Sequence, residues 1–291
     1  MKRLLMTGSS GLVGGNLGPR LGGRFAVMTV GRSRPEWSAE HVKCDFAAAW
    51  EADQLPRQYD TLIHLAQSDH FRDFPGMAES IFETNVKALL KLLEHARCSG
   101  VKRVVLASSG GVYGTGEKSF SESDLLYASD SLGFYLGTKV AAEIMASNYA
   151  QYFNLIILRF FFIYGPGQKS GMLMPRIIQS VREGQAITLQ GHHGIRLNPI
   201  FVPDAAKAVV QSLDLDGFHR LNVAGPQAVS MRELGNLVGT IIGRTPVFSM
   251  EEKAVPKHLV GDISQMSSVL GAPATSLEAG LRQTIAASQA A

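Results

Sequence analysis

The chain has 291 residues, 45% hydrophobic and 18% charged, with a formal net charge of +3, the balance of a soluble protein with ample core in one large domain or two linked ones. So small a positive excess, with no lysine-rich tail or basic-aromatic repeat, leaves no electrostatic footprint for nucleic acid. Two cysteines, Cys44 and Cys98, exclude a disulfide framework and a cysteine metal site, so the expectation is a cytoplasmic protein with no metal and no membrane partner. The most apolar run, LIILRFFFIY from Leu155 to Tyr164, carries Arg159 inside it. It is about half the length of a membrane helix and reads as a buried strand.

Along the first half, short apolar runs alternate with helical patterns, as in a parallel sheet covered by helices. In chain order the expected elements are a strand Arg3–Thr7, a helix Leu12–Leu21 that Pro19 should shorten or kink, and a strand Ala26–Val30. Strand Thr61–Leu65, helix Ile81–Arg97, strand Arg103–Ser108, helix Tyr135–Tyr152 and strand Leu155–Phe160 follow. After Tyr164 a GPGQKSG linker opens a less regular region. In it Ser230–Glu233 and Thr275–Glu278 have capping-box spacing. The fold class this predicts is α/β: a Rossmann-type doubly wound parallel sheet over residues 1–165, then a smaller mixed α/β C-terminal substrate lobe over 166–291. A stretch near 195–225 is the candidate to rejoin the first domain.

Thr7-Gly-Ser-Ser-Gly-Leu-Val-Gly14 follows the first strand and opens the first helix. Gly8 permits the tight turn, Gly11 lets backbone approach a pyrophosphate, and Gly14 lets helix pack on strand, while the helix N-terminus supplies N–H donors. Dinucleotide binding is the reading this context supports. About 20 residues on, such a fold usually places a ribose-binding carboxylate. Here VGRSRP offers Gly31, Arg32 and Arg34, and the first carboxylate of the chain is Glu36. A guanidinium suits a 2′-phosphate and a carboxylate repels one, so NADP(H) is expected over NAD(H). Two solvated loop arginines are the alternative. By sequence alone Asp45 and Phe46 read as a surface turn.

Tyr135 and Lys139 stand four apart on one helix face, where an ammonium can lower the phenol pKa and let it exchange a proton with an alcohol oxygen; by spacing alone an exposed helix pair is the default reading. Upstream, Ala107-Ser-Ser-Gly-Gly-Val-Tyr-Gly114 closes a strand with hydroxyls. Glycine loop, strand-end serine and Tyr/Lys in this order resemble the extended short-chain dehydrogenases/reductases, the NAD-dependent epimerase/dehydratase family. The resemblance continues through His64-Leu-Ala66, Asn85, RFFFIYGP (159–166), RLNPIFVPD (196–204), Leu221-Asn-Val223 and Gly261-Asp-Ile263. It implies Tyr135 as acid/base, Lys139 as its activator and a ribose ligand, and Ser109 as the group that polarises the substrate oxygen. Ser108 is then structural and Tyr113 a packing residue or pocket wall. The cofactor set it implies is Thr7, Gly8, Ser10, Gly11, Leu12, Val13, Gly14, Gly31, Arg32, Arg34, Asp45, Phe46, Leu65 and Ala66, with Tyr135 and Lys139. Ser109, Gly110, Phe162 and Arg196 are the implied substrate contacts.

Two departures narrow the reaction. The family's 4,6-dehydratases carry Asp-Glu where this chain has Gly110-Gly111, so dehydration is disfavoured. Many sugar-nucleotide members have Asn where Phe162 stands, although Arg196 still matches an arginine that binds substrate diphosphate; the alternative for Arg196 is a surface salt bridge. His192-His193 reads as a loop, since adjacent histidines point apart. The expected function is reversible hydride transfer at a hydroxyl or ketone of a nucleotide-sugar, leaning to an NADPH-dependent ketoreductase. An NAD-dependent epimerase, a reductase of a hydrophobic carbonyl compound and a non-catalytic NAD(P)-sensing protein are the alternatives. The resemblance also implies a homodimer built on helices Ile81–Arg97 and Tyr135–Tyr152, whose apolar stripes could equally face only their own sheet.

Overall fold

The computed structural model describes residues 1–126 and 132–290. They divide into two compact units, the first made of Met1–Val112, Leu125–Arg159 and Ala206–Leu221, the second of Tyr113–Asp124, Phe160–Ala205 and Asn222–Ala291. The division expected at residue 165 thus falls at 159/160, and Tyr113–Asp124 goes with the second unit.

The first unit is built on a seven-stranded parallel sheet. Its strands are β1 (Lys2–Thr7), β2 (Phe25–Gly31), β3 (Glu40–Lys43), β4 (Thr61–His64), β5 (Arg103–Ser109), β6 (Asn154–Phe160) and β7 (Phe218–Val223). In space the order is β3-β2-β1-β4-β5-β6-β7. The chain runs outward from β1 in one direction and then from β4 in the other, so the switch point lies at the C-terminal ends of β1 and β4, where doubly wound sheets bind their ligands. Thr7 pairs with Val30 on one side and His64 on the other. Leu4, Leu5, Met6, Leu62, Ile63, Val104 and Val105 are fully buried, as strands covered on both faces require.

Helix α1 spans Leu12–Leu21 with Pro19 inside it. The proline sits in the last turn and does not shorten the helix from its expected bounds. Gly18 lies under Trp37, whose ring a Cβ would meet at 2.2 Å. The helix expected at Ile81–Arg97 is one run in three parts: α2 (Ala78–Phe82), a π-helical turn Glu83–Lys87, and α3 (Ala88–Cys98). Helix α4 spans Gly133–Ser147, five residues short of its expected end. There the backbone tightens, with Asn148 N–H donating to Met145 O and Tyr149 N–H to Ala146 O, and the Asn148 side chain donates to Ile144 O at 2.8 Å. An amide side chain competing for the last carbonyls ends the helix, while the apolar pattern continues into the turn.

The second unit has its own core, with Tyr164, Ile177, Ile178, Val181, Leu189, Leu234 and Leu281 among its members. It holds helices α5 (Leu173–Glu183) and α6 (Met231–Ile242), the strand pair Ala186–Gln190 with Val247–Glu251, and a C-terminal helix Leu277–Ala290. The Ser230–Glu233 capping box is formed in full. No helix among the described residues is long and apolar enough to cross a membrane.

Candidate active site

The glycine loop is shaped by what lies against it. Gly8 has φ +70°, and a Cβ there would meet Ala66 N and Leu65 C at 2.6 Å, so only glycine lets the β1 turn touch the end of β4. A Cβ on Gly14 would lie 2.3 Å from Gly8 O and 2.6 Å from Ser9 Cα, which seats α1 on the turn itself. Thr7, expected among the cofactor contacts, is fully buried. Its hydroxyl is committed to His64 Nδ1 at 2.8 Å and receives Ala66 N–H at 3.2 Å, so it clamps β1 to β4. Burial pulls His64 down to about 3 and keeps it neutral. Ser9 is buried, whereas Ser10 and Gly11 face solvent.

α1 begins at Gly11 with no side-chain cap and no acidic residue in its first turn. Its own first turn thus offers no anion to the N-terminal N–H groups and dipole, an arrangement that fits a pyrophosphate. At the end of β2, Arg32 is not alone: Asp69, from the loop after β4, pairs with it. Arg34 turns back to Ser38 O at 2.8 Å. Asp45 is exposed and accepts Ala47 N–H at 3.0 Å in a turn. The Phe46 ring lies in the core, edge-on to Trp50 and His64, so its side chain does not reach outward.

β5 and α4 present the candidate catalytic groups. Ser109 ends β5, and its Oγ accepts Gly111 N–H at 3.1 Å, opening a tight 3-10 turn at Gly110–Tyr113. Gly111 packs on Leu136, the neighbour of Tyr135: an added Cβ would lie 2.7 Å from Leu136 Cδ2. A side chain at 111 would have to displace the Leu136 methyls beside the tyrosine. Lys139 is 5% exposed, with Nζ 3.2 Å from Ala107 O and 5.9 Å from the Tyr135 ring centroid. An ammonium has three donors, so it retains capacity for a ribose diol.

Tyr135 Oη donates to Gln67 Oε1 at 2.8 Å. Gln67 directly follows the His64-Leu-Ala66 motif and is a contact that sequence reasoning missed. The expectation that Lys139 lowers the phenol pKa is not met in this geometry. Burial pushes Tyr135 well above the usual phenol range, and burial also brings Lys139 down to about 8 despite the carboxylate of Glu143. Desolvation is the cause of the phenol's rise, and Lys139 Nζ takes the Ala107 carbonyl as a hydrogen-bond partner. Asn85, in the π-helical turn, braces the site by accepting Ser68 N–H at 2.8 Å and donating to Thr138 Oγ1 at 3.0 Å.

In the second unit, Phe162 has φ 42°, the left-handed region that asparagine enters far more readily than an aromatic residue. Arg196 is exposed in a two-residue strand, its N–H donating to His258 Nδ1 at 2.9 Å. Tyr113 is buried, stacks on Phe120 and donates to Asn222 Oδ1 at 2.9 Å, as a packing residue does. His192 and His193 lie in a turn between Gly191 and Gly194, tied by their backbone carbonyls to Arg232. Among the described residues no group of three or more His, Cys, Asp or Glu is placed to hold a metal ion.

The profile of the NAD dependent epimerase/dehydratase family matches residues 4–224. A dTDP-4-dehydro-6-deoxy-D-allose reductase of Streptomyces sp is 27% identical over 316 residues, covering 97% of this chain and 95% of the relative. A UDP-glucuronate 4-epimerase of Thermodesulfobacterium geofontis is 28% identical over 230 residues, covering 77% of this chain and 71% of its own. Among solved structures, MoeE5 in complex with UDP-glucose and NAD superposes with a TM-score of 0.86 at 28% identity, covering 99% of both chains.

Proposed function

The chain belongs to the NAD dependent epimerase/dehydratase family, and on that premise we propose that it is a ketoreductase of nucleotide-activated sugars. The observation that carries this reading is the Tyr135 hydroxyl, which already acts as a donor, to Gln67, on a phenol whose pKa burial moves further up. Such a group is set up to give a proton to a carbonyl oxygen. When bound, the nicotinamide supplies the hydride. Ser109 holds the carbonyl oxygen, Tyr135 protonates it after exchanging Gln67 for substrate, and the Lys139 ammonium steadies the tyrosinate left behind. Arg196 is assigned to the diphosphate. The reductase from Streptomyces, aligned along nearly its whole length, supports the same direction of chemistry.

For the cofactor we assign NADP(H), through Arg32. Its partner Asp69 is the obstacle, but the pair is exposed (62% and 42% for the two side chains). Such a pair contributes only about 0–1 kcal/mol, against roughly 1.5–3 kcal/mol for a hydrogen bond to a charged group. A 2′-phosphate can therefore take the guanidinium from Asp69. Titrating Arg32→Ala with both cofactors tests the assignment. The NADPH dissociation constant should rise about 10–100-fold, with NADH binding unchanged. Equal effects on both cofactors would return the assignment to NAD(H).

The second reading is an NAD-dependent epimerase, favoured by the NAD seen with MoeE5. The two are separated by incubating the protein with UDP- and dTDP-activated sugars and their 4-keto forms. Oxidation of added NADPH in step with ketone loss supports the reductase. Interconversion of sugar epimers without net cofactor turnover supports the epimerase.

A homodimer through α3 and α4 completes the proposal. Leu90 and Ile144, 42% and 60% exposed, are large apolar side chains left uncovered on these two packed helices. Ile144→Asp should halve the mass seen by light scattering while leaving the far-UV spectrum intact. An unchanged mass would place any interface elsewhere.

A further inference from the structure

Below the lysine lies a second buried charge. Glu143 is 2% exposed and stands one turn past Lys139 and two past Tyr135, so the three share a face of α4. Arg159 of β6, also 2% exposed, grips its carboxylate: Nε lies 3.0 and 3.1 Å from the two oxygens, and Nη2 donates at 2.6 Å. Ser108, the residue before Ser109, donates to the same carboxylate at 2.5 Å. One side chain thus joins the strand end that presents Ser109, the helix that presents Tyr135 and Lys139, and the neighbouring strand.

Stability alone gives little reason for this arrangement, because well-packed apolar residues of similar volume commonly do as well as a buried ion pair. Its relation to Lys139 gives a better one. The groups around that ammonium are Tyr135 and Glu143 on its own helix, His64 from β4 and the Ala107 carbonyl from β5, with Ser108 and Arg159 bonded to the Glu143 carboxylate. His64 is neutral, and among the described residues Glu143 is the carboxylate whose charge favours the protonated lysine. The guanidinium cannot lose its proton.

We propose that Glu143, held by Arg159 and Ser108, is a positioning residue that keeps Lys139 in place as an ammonium and sets the register of Ser109 against Tyr135. The proposal rests on the hydride-transfer reading, so its test carries a readout that needs no substrate. Lysine labelled with carbon-13 at Cε is followed by NMR against pH in the cofactor-free protein, with Lys139 assigned by the signal missing from Lys139→Met.

Glu143→Gln leaves the arginine cation unbalanced and should lower the Lys139 midpoint by about one pH unit or more; Arg159→Met leaves the carboxylate to the lysine and should raise it by a similar amount. Either single variant can fail to fold, since each strands a buried charge. The double variant Glu143→Met/Arg159→Met strands none. It should fold, and the midpoint should still fall, because the lost carboxylate is one helical turn from the lysine and the lost guanidinium lies behind it. In that variant kcat should fall about 10-fold or more with KM nearly unchanged, and the alkaline limb of the rate profile should follow the NMR midpoint. A folded variant with both the midpoint and kcat unmoved would overturn the proposal and leave the pair a packing element. Absence of turnover in the wild-type protein would sink the ketoreductase reading, and the NMR midpoints would still decide the role of Glu143.

Discussion

Tyr135→Phe is expected to lower kcat by about 10²–10⁴-fold, the usual worth of a positioned general acid. Cofactor affinity and melting temperature should stay close to wild type. The hydroxyl removed here bonds to Gln67, which is solvent-exposed and can turn to water, so no buried partner is stranded. Ring packing is kept, including the tilted contact with Phe71 at 5.4 Å between centroids. Steady-state rates with a 4-keto nucleotide-sugar and fluorescence titration of NADPH measure the two halves of this expectation. Activity within about twofold of wild type would remove Tyr135 from proton transfer. A parallel loss of cofactor binding would instead show that the substitution had disturbed the pocket.

The second large effect is expected at Gly14, where alanine should cost about 1–3 kcal/mol of stability, the typical penalty of overpacking. The added Cβ has no flexible neighbour to displace, because Gly8 O and Ser9 Cα are both backbone, at 2.3 and 2.6 Å. Helix α1 must lift off its turn, carrying its N-terminal donors away from the pyrophosphate position. Cofactor affinity should then fall by at least about tenfold, as small misplacements of positioning groups commonly do. The adjacent glycine provides the control. A Cβ on Gly15 meets nothing within 4 Å, so Gly15→Ala should stabilise the helix by roughly 0.5–1 kcal/mol. Thermal melts of the two variants should therefore move in opposite directions, and nucleotide titrations should show a loss for Gly14→Ala alone. If both destabilise alike, Gly14 is not the close contact described.

Local signals carried most of the first unit. The apolar runs placed five of the seven sheet strands, missing the short edge strand Glu40–Lys43 and the late strand Phe218–Val223, and Thr7–Gly14 located both the turn and the start of α1 at Leu12. What stayed hidden depends on residues far apart in the chain. Nothing around VGRSRP hints that Asp69, 37 residues from Arg32, lies on the guanidinium. Periodicity gave a plain helix from Ile81, because one extra residue in a π-helical turn barely alters an apolar stripe while re-aiming Asn85. The phenol's raised pKa was missed for a related reason. Tyr-x-x-x-Lys spacing shows that the two side chains share a helix face, but desolvation depends on what the rest of the fold lays over them. Glu143 and Arg159 were both visible as charges amid apolar residues, yet only the pairing of helix with strand shows that each answers the other.

The sheet of the first unit also imposes an order of events during synthesis. β6 is buried from Leu155 to Phe160, yet its outer neighbour β7 is not made until residues 218–223, after the chain has laid down much of the second unit. Between the two lie roughly 60 residues, or about 3–12 s of translation. During that interval an apolar strand has an open hydrogen-bonding edge, the feature that invites pairing with another chain. A polypeptide ending near residue 165 would keep that edge permanently and should aggregate where the full chain does not. The nascent protein is thus most vulnerable to misassembly halfway through its own production, when a chaperone covering one strand edge would matter most.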